Sequence, residues 1–101
     1  MTSRKSVYQL SDPAFQDLQE IEAYIASDSP AAAEKVINSI EATCDLLARE
    51  PQAGRERPEL EAGLRSFVSG QYVIFYIRTT DTLVSVVRIL HSRRDIDALF
   101  T

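Results

Sequence analysis

Residues 64–91 read LRSFVSGQYVIFYIRTTDTLVSVVRILH, and this stretch decides the fold. It is dense in β-branched and aromatic residues and is broken twice, at Ser69-Gly70-Gln71 and at Thr79 to Thr82. That pattern predicts strands over 64–68, 72–78 and 83–91. Connections this short join antiparallel neighbours, so the three strands form a consecutive antiparallel meander.

Simple alternation divides each long strand into two faces. Tyr72, Ile74, Tyr76 and Arg78 share one, opposite Val73, Phe75 and Ile77. In the last strand Val84, Val86, Arg88 and Leu90 oppose Leu83, Ser85, Val87, Ile89 and His91. Both faces are apolar, so both need a cover. One cover lies upstream: Val7, Tyr8 and Leu10 suggest a brief strand, and Asp12-Pro13 then opens a helix, with Asp12 as the expected N-cap. Ala14, Leu18, Ile21 and Ile25 form its apolar stripe, with Asp17 among the polar residues off it. Ser29-Pro30 repeats the signal, and Ala33, Val36, Ile37, Ile40, Cys44 and Leu47 continue to Pro51. These helices, near 12–27 and 30–50, should pack as an antiparallel hairpin on one sheet face. The polar segment 52–63 reads as a surface loop, and 93–100 as a short tail helix. The second sheet face needs that tail or another chain, because a bare apolar face marks an interaction site. The expected class is α+β: an N-terminal strand and a helix hairpin packed on a small antiparallel sheet, with a short C-terminal helix.

A chain of 101 residues, 45% hydrophobic and 26% charged, has the composition of one globular domain spanning 1–101. The longest apolar run, Tyr72 to Ile77, is far too short to span a bilayer, and the first 20 residues lack a leader pattern. Together with a single cysteine, this leads us to expect a cytoplasmic protein without a membrane partner. The net charge of −4 is unevenly spread, −5 over residues 1–50 and +1 over 51–101, where every basic residue is arginine. Arginine suits bidentate contact with carboxylate or phosphate, so a charged partner should dock on this half. The overall acidity argues against direct DNA binding, which depends on neutralising many phosphates.

The chemical groups are few. Cys44 sits on the helical apolar stripe and reads as a core residue. No metal-ligand spacing, phosphate-binding glycine loop or nucleophile elbow is present, so neither metal nor cofactor is expected. His91 ends the last strand, where it could hydrogen-bond the adjacent loop or Asp95. Alternatively it could act as a general acid or base in a ribonuclease site. Arg65 and Arg88 would then hold the phosphate, with Glu59 or Glu61 as the second proton-transfer group. Arg88 interrupts an apolar strand, so it is either paired with a carboxylate or aimed at a partner.

The order of a strand, the Asp12-Pro13-Ala14 helix with Asp17-Leu18 and Ile21 to Ile25, Pro51 to Gly54, Gly63-Leu64-Arg65, Tyr72 to Tyr76, and Arg88 to Asp95 resembles the ParE/RelE toxin superfamily, most closely its ParE branch. The resemblance implies the toxin half of a type II toxin–antitoxin pair, neutralised by a ParD-like antitoxin in a hetero-oligomer. ParE-like members inhibit DNA gyrase without being nucleases; RelE-like members cut messenger RNA on the ribosome. Against the RelE pattern this chain keeps Arg65, but has Val73 in place of a catalytic arginine, and Ser92 and Ala98 near the positions of another arginine and the tyrosine. Gyrase inhibition is therefore the expected activity, with no catalytic residue. Arg65, Tyr72, Tyr76, Arg88, Arg93 and Arg94 are the candidate contacts for target or antitoxin. A ribosome-dependent endoribonuclease using His91 and Arg65 is the alternative.

Overall fold

The computed structural model describes residues 6–94 and 96–100, so the expected role of Asp95 lies outside the described residues. Strand β1 (Val7–Leu10) leads into helices α1 (Asp12–Ala26) and α2 (Pro30–Arg49). Strands β2 (Arg55–Glu56), β3 (Arg65–Ser69), β4 (Tyr72–Thr80) and β5 (Leu83–His91) follow, and then α3 (Ile96–Leu99). The strand order is β1-β5-β4-β3-β2.

The meander is as expected, with β3, β4 and β5 antiparallel and consecutive. The sheet is nevertheless mixed, because β1 joins the outer edge of β5 in parallel, Val7 opposite Leu83 and Leu10 opposite Val86. The segment read as a loop also contributes a strand: β2 pairs antiparallel with β3. Two-residue pairing of this kind leaves no run of alternating residues to detect.

Helix α1 is capped by Ser11, one residue earlier than expected. The Ser11 side chain accepts a hydrogen bond from Ala14 N–H at 3.1 Å and donates to the Val87 carbonyl at 2.8 Å, and its own N–H donates to the Val86 carbonyl at 2.9 Å. Ser11 thus closes the β1–β5 pairing and opens the helix at once. Asp12 instead lies in the first turn, where its charge suits the helix dipole. Helix α2 begins as expected, with Ser29 accepting from Ala32 N–H at 3.1 Å.

The two faces of β5 depart from simple alternation. Phe75 pairs with Arg88 while Tyr76 pairs with Val86, so Val87 is a bulge residue without a counterpart. One extra residue reverses the phase of everything beyond it. Ile89 consequently joins Val84, Val86, Ile74 and Tyr76 against Ala14, Ile40, Cys44 and Leu47, whereas Leu90 joins Val73, Phe75 and Leu64 on the far side. That far side is not bare. Leu60, Ile96, Leu99 and Phe100 pack on it, with the Phe100 ring 4.9 Å from that of Phe75. Arg57 covers the same Phe75 ring, its guanidinium 5.8 Å from the centroid.

Candidate interaction surfaces

The predicted contact residues separate into three groups. Tyr76 belongs to none of the surfaces, for it is fully buried. Its hydroxyl donates to the Pro51 carbonyl and accepts from Gly54 N–H, each at 2.8 Å, which ties the segment after α2 to the sheet. Burial pushes the phenol pKa up, so the hydroxyl keeps its donor proton. Gly54 has to be glycine because a Cβ there would overlap the Tyr76 hydroxyl and lie 2.9 Å from the Ser66 carbonyl oxygen. Replacing Tyr76 by phenylalanine should cost about 1–3 kcal/mol, since it strands the Gly54 donor; a shift in the urea midpoint measures it.

Arg88 is likewise committed within the fold. Its Nε and Nη2 donate to the two carboxylate oxygens of Asp17 at 2.7 and 2.9 Å, and Ile89 N–H donates to the same carboxylate at 3.0 Å. Of the two readings of Arg88, pairing with a carboxylate is the one observed. The hydrogen bonds to Asp17 hold its guanidinium pKa above the ordinary value. Asp17, expected on the polar face, is the buried member of this pair.

At one end of the sheet lie Tyr72, His91, Arg93 and Arg94. Tyr72 meets His91 edge to face, with 5.4 Å between centroids and 82° between planes. Arg93 N–H donates to His91 Nδ1 at 3.1 Å, so the strand-end histidine organises the turn that carries both arginines. A neutral imidazole in this arrangement keeps its proton on Nε2. Two adjoining cavities of about 440 and 460 Å³ share Tyr24, Tyr72 and His91. The first is walled by Ile25, Val36 and Ile40, and the second reaches Glu20 and Arg94. Tyr24, on α1, is 80% exposed over both and was not among the residues expected. Only its position outside the apolar stripe could have marked it.

Arg65 stands apart from this cluster, at the start of β3. It pairs with Tyr76 across β4, while His91 pairs with Tyr72, four residues away along that strand. Strand geometry puts the two backbones roughly 16 Å apart. The Arg65 guanidinium donates to the Gly54 carbonyl at 2.7 Å and lies 3.5 Å from Glu56. Glu59 and Glu61 are on its side of the molecule, in the segment that Arg57 N–H closes onto the Leu64 carbonyl. Glu59 bonds Arg57 at 2.7 Å, which lowers its carboxyl pKa. The sheet therefore does not bring His91, Arg65 and a carboxylate together.

Cys44 is a core residue, and burial, with Asp45 and Glu41 adding to it, pushes its thiol up to about 12. Among the described residues no group of three or more His, Cys, Asp or Glu is placed to hold a metal ion, and no helix is long and apolar enough to cross a membrane.

The architecture is shared with solved toxin–antitoxin systems. The chromosomal ParDE system from P. aeruginosa contains a chain that superposes with a TM-score of 0.71 at 20% identity, over 88% of this chain and 98% of that one. The RelBE2 toxin–antitoxin complex from Mycobacterium tuberculosis gives 0.57 at 26% identity, over 87% and 99%. In sequence, Toxin ParE1 of Caulobacter vibrioides is 32% identical over 87 residues, covering 83% of this chain and 86% of that protein. Toxin ParE1 of M. tuberculosis H37Rv is 34% identical over 65 residues; the match spans 64% of this chain and 66% of that relative, just under two thirds of its length. The family model for the ParE toxin of the type II toxin–antitoxin system parDE matches residues 8–96. The chain belongs to the ParE toxin family.

Proposed function

We propose that this chain is a cytoplasmic, single-domain toxin that inhibits DNA gyrase by surface binding, without catalysis or a cofactor, and is neutralised by a ParD-like antitoxin. The observation that carries the choice of inhibitor over nuclease is the separation of Arg65 from His91, which pair with β4 residues four positions apart and lie on strands either side of it. Cleavage through a 2′-hydroxyl needs a base, a phosphate clamp and a leaving-group acid at one point. His91 is also engaged through Nδ1 in its own turn. The ParE relatives and the toxin–antitoxin neighbours support the partner assignment. With the far sheet face covered by the chain's own tail, the groove at Tyr24 and Tyr72 is the surface we assign to an apolar partner segment.

A supercoiling assay with purified gyrase tests the reading. His91→Ala should still block supercoiling. Arg93→Glu combined with Arg94→Glu should weaken the block roughly tenfold, through reversed charge at the exposed turn. Cleavage of messenger RNA by the wild type in a translating extract, abolished in His91→Ala, would establish the nuclease instead.

A further inference from the structure

The ion pairs among the described residues fall into two kinds. Arg57–Glu59 and Arg88–Asp17 are close, each at 2.7 Å. Arg65–Glu56 and Arg78–Asp81 are both long, at 3.5 Å, and their carboxylates are 77% and 79% exposed. Exposed pairs of the second kind contribute little to stability, so they are readily exchanged for better ligands. Both long pairs involve arginines that line the same cavity, of about 440 Å³, between Pro51, Pro58 and Leu64, with Glu56 on its wall.

The geometry points to this cavity as a receptor for one carboxylate side chain of a protein partner, taken up by Arg65 and Arg78 in exchange for Glu56 and Asp81. The inference rests on the antitoxin reading above and specifies where an acidic residue of the antitoxin seats. Three observations select this occupant. The register sets Arg65 opposite Tyr76, and Arg78 lies two residues further along β4, which makes the two arginines diagonal neighbours across adjacent strands. Such neighbours stand about 7–8 Å apart at the backbone, a span that two long side chains close on one small anion. Arg65 is also preset, since its bond to the Gly54 carbonyl orients the guanidinium before any ligand arrives. Finally, the only counter-charges on the two arginines among the described ion pairs are Glu56 and Asp81, both at 3.5 Å and both mostly exposed, so releasing these two acids to solvent opens the arginine pair to one incoming carboxylate. A nucleic-acid strand would add many more negative charges to a chain already at −4.

The exchange predicts effects of opposite sign at two neighbouring residues, which simple damage to the fold does not produce. Full-length toxin is titrated calorimetrically with a synthetic peptide carrying the C-terminal half of the antitoxin encoded beside it. Arg78→Gln should bind about tenfold more weakly, as expected for loss of a charged hydrogen bond. Glu56→Gln should bind severalfold more tightly, because one competing carboxylate is gone. When the peptide's acidic residues are changed to amides one at a time, one change should make wild type and Arg78→Gln bind equally. Circular dichroism establishes that the variants fold. If the wild type binds the peptide and both variants match it, the cavity assignment is overturned and the toxin reading stands. If the wild type binds no antitoxin peptide, both are overturned. If a short single-stranded RNA displaces the peptide and loses affinity in Arg78→Gln, the site is a phosphate site and the carboxylate assignment fails.

Discussion

Asp17→Ala is expected to destabilise the protein by about 3–5 kcal/mol, the cost of breaking a buried ion pair by removing one member. Three hydrogen bonds converge on that carboxylate, two from Arg88 and one from Ile89 N–H. The backbone bond explains why the loss is large. Strand β1 ends at Leu10, opposite Val86, and beyond it no strand among the described residues lies beside the outer edge of β5. Ser11 serves the Val87 carbonyl there and Asp17 serves the Ile89 amide. Alanine at 17 therefore strands a guanidinium and an amide together. Asp17→Asn keeps the shape and an acceptor, so it should lose less. Arg88→Met removes the charge needing a partner and should cost less than Asp17→Ala. Equal urea midpoints for all three variants would show that the pair does not hold α1 to the sheet.

The second large effect is alkaline. The Cys44 thiol is raised by burial from its ordinary 9.0 to about 12, so between those values the unfolded chain gives up this proton while the folded chain keeps it. The unfolded state then binds fewer protons, and stability falls as pH rises, by roughly 2 kcal/mol at pH 10.5 and 4 kcal/mol at pH 12. Below pH 9 the contribution is complete and constant. Tyr8 and Tyr76, also raised by burial, act in the same direction above their ordinary value of 10.0. Urea denaturation under reducing conditions at pH 7 and 10.5 measures the difference, and Cys44→Ala should remove most of it. An unchanged slope in Cys44→Ala would assign the alkaline loss to other groups.

These residues also show what a sequence can and cannot disclose. The helix hairpin and the three-strand meander were legible because their periods, 3.6 and 2, are local. The family likeness ran through Gly63-Leu64-Arg65 and Arg88 to Asp95, again as contiguous text. The parallel seat of β1 depends on a partner over 70 residues away, and nothing near Val7 announces it. The bulge at Val87 was hidden because its neighbours are all apolar, so a reversed phase looks the same as a continuous one. Arg88 could be read as paired, yet its partner Asp17 sat among polar helix residues and looked like one more of them. Tyr76 looked like an available aromatic; its burial follows from a hydroxyl that finds Pro51 and Gly54 across the loop. For the same reason nothing in the sequence kept Arg65 and His91 apart; the register does, pairing them with Tyr76 and Tyr72 from opposite sides of β4.

The parallel seat of β1 bears on the order in which the molecule is made. A ribosome delivers Val7–Leu10 and both helices long before Leu83–Val86, the segment that β1 needs. Until then the apolar stripe of the hairpin has only part of its sheet to cover it, and Ser11 has no Val86 or Val87 carbonyl to bond. Closing the first strand onto the last is a non-local step whose chain entropy is lost before its contacts form. The nascent chain thus acquires its finished surface only once residues 83–91 have been made.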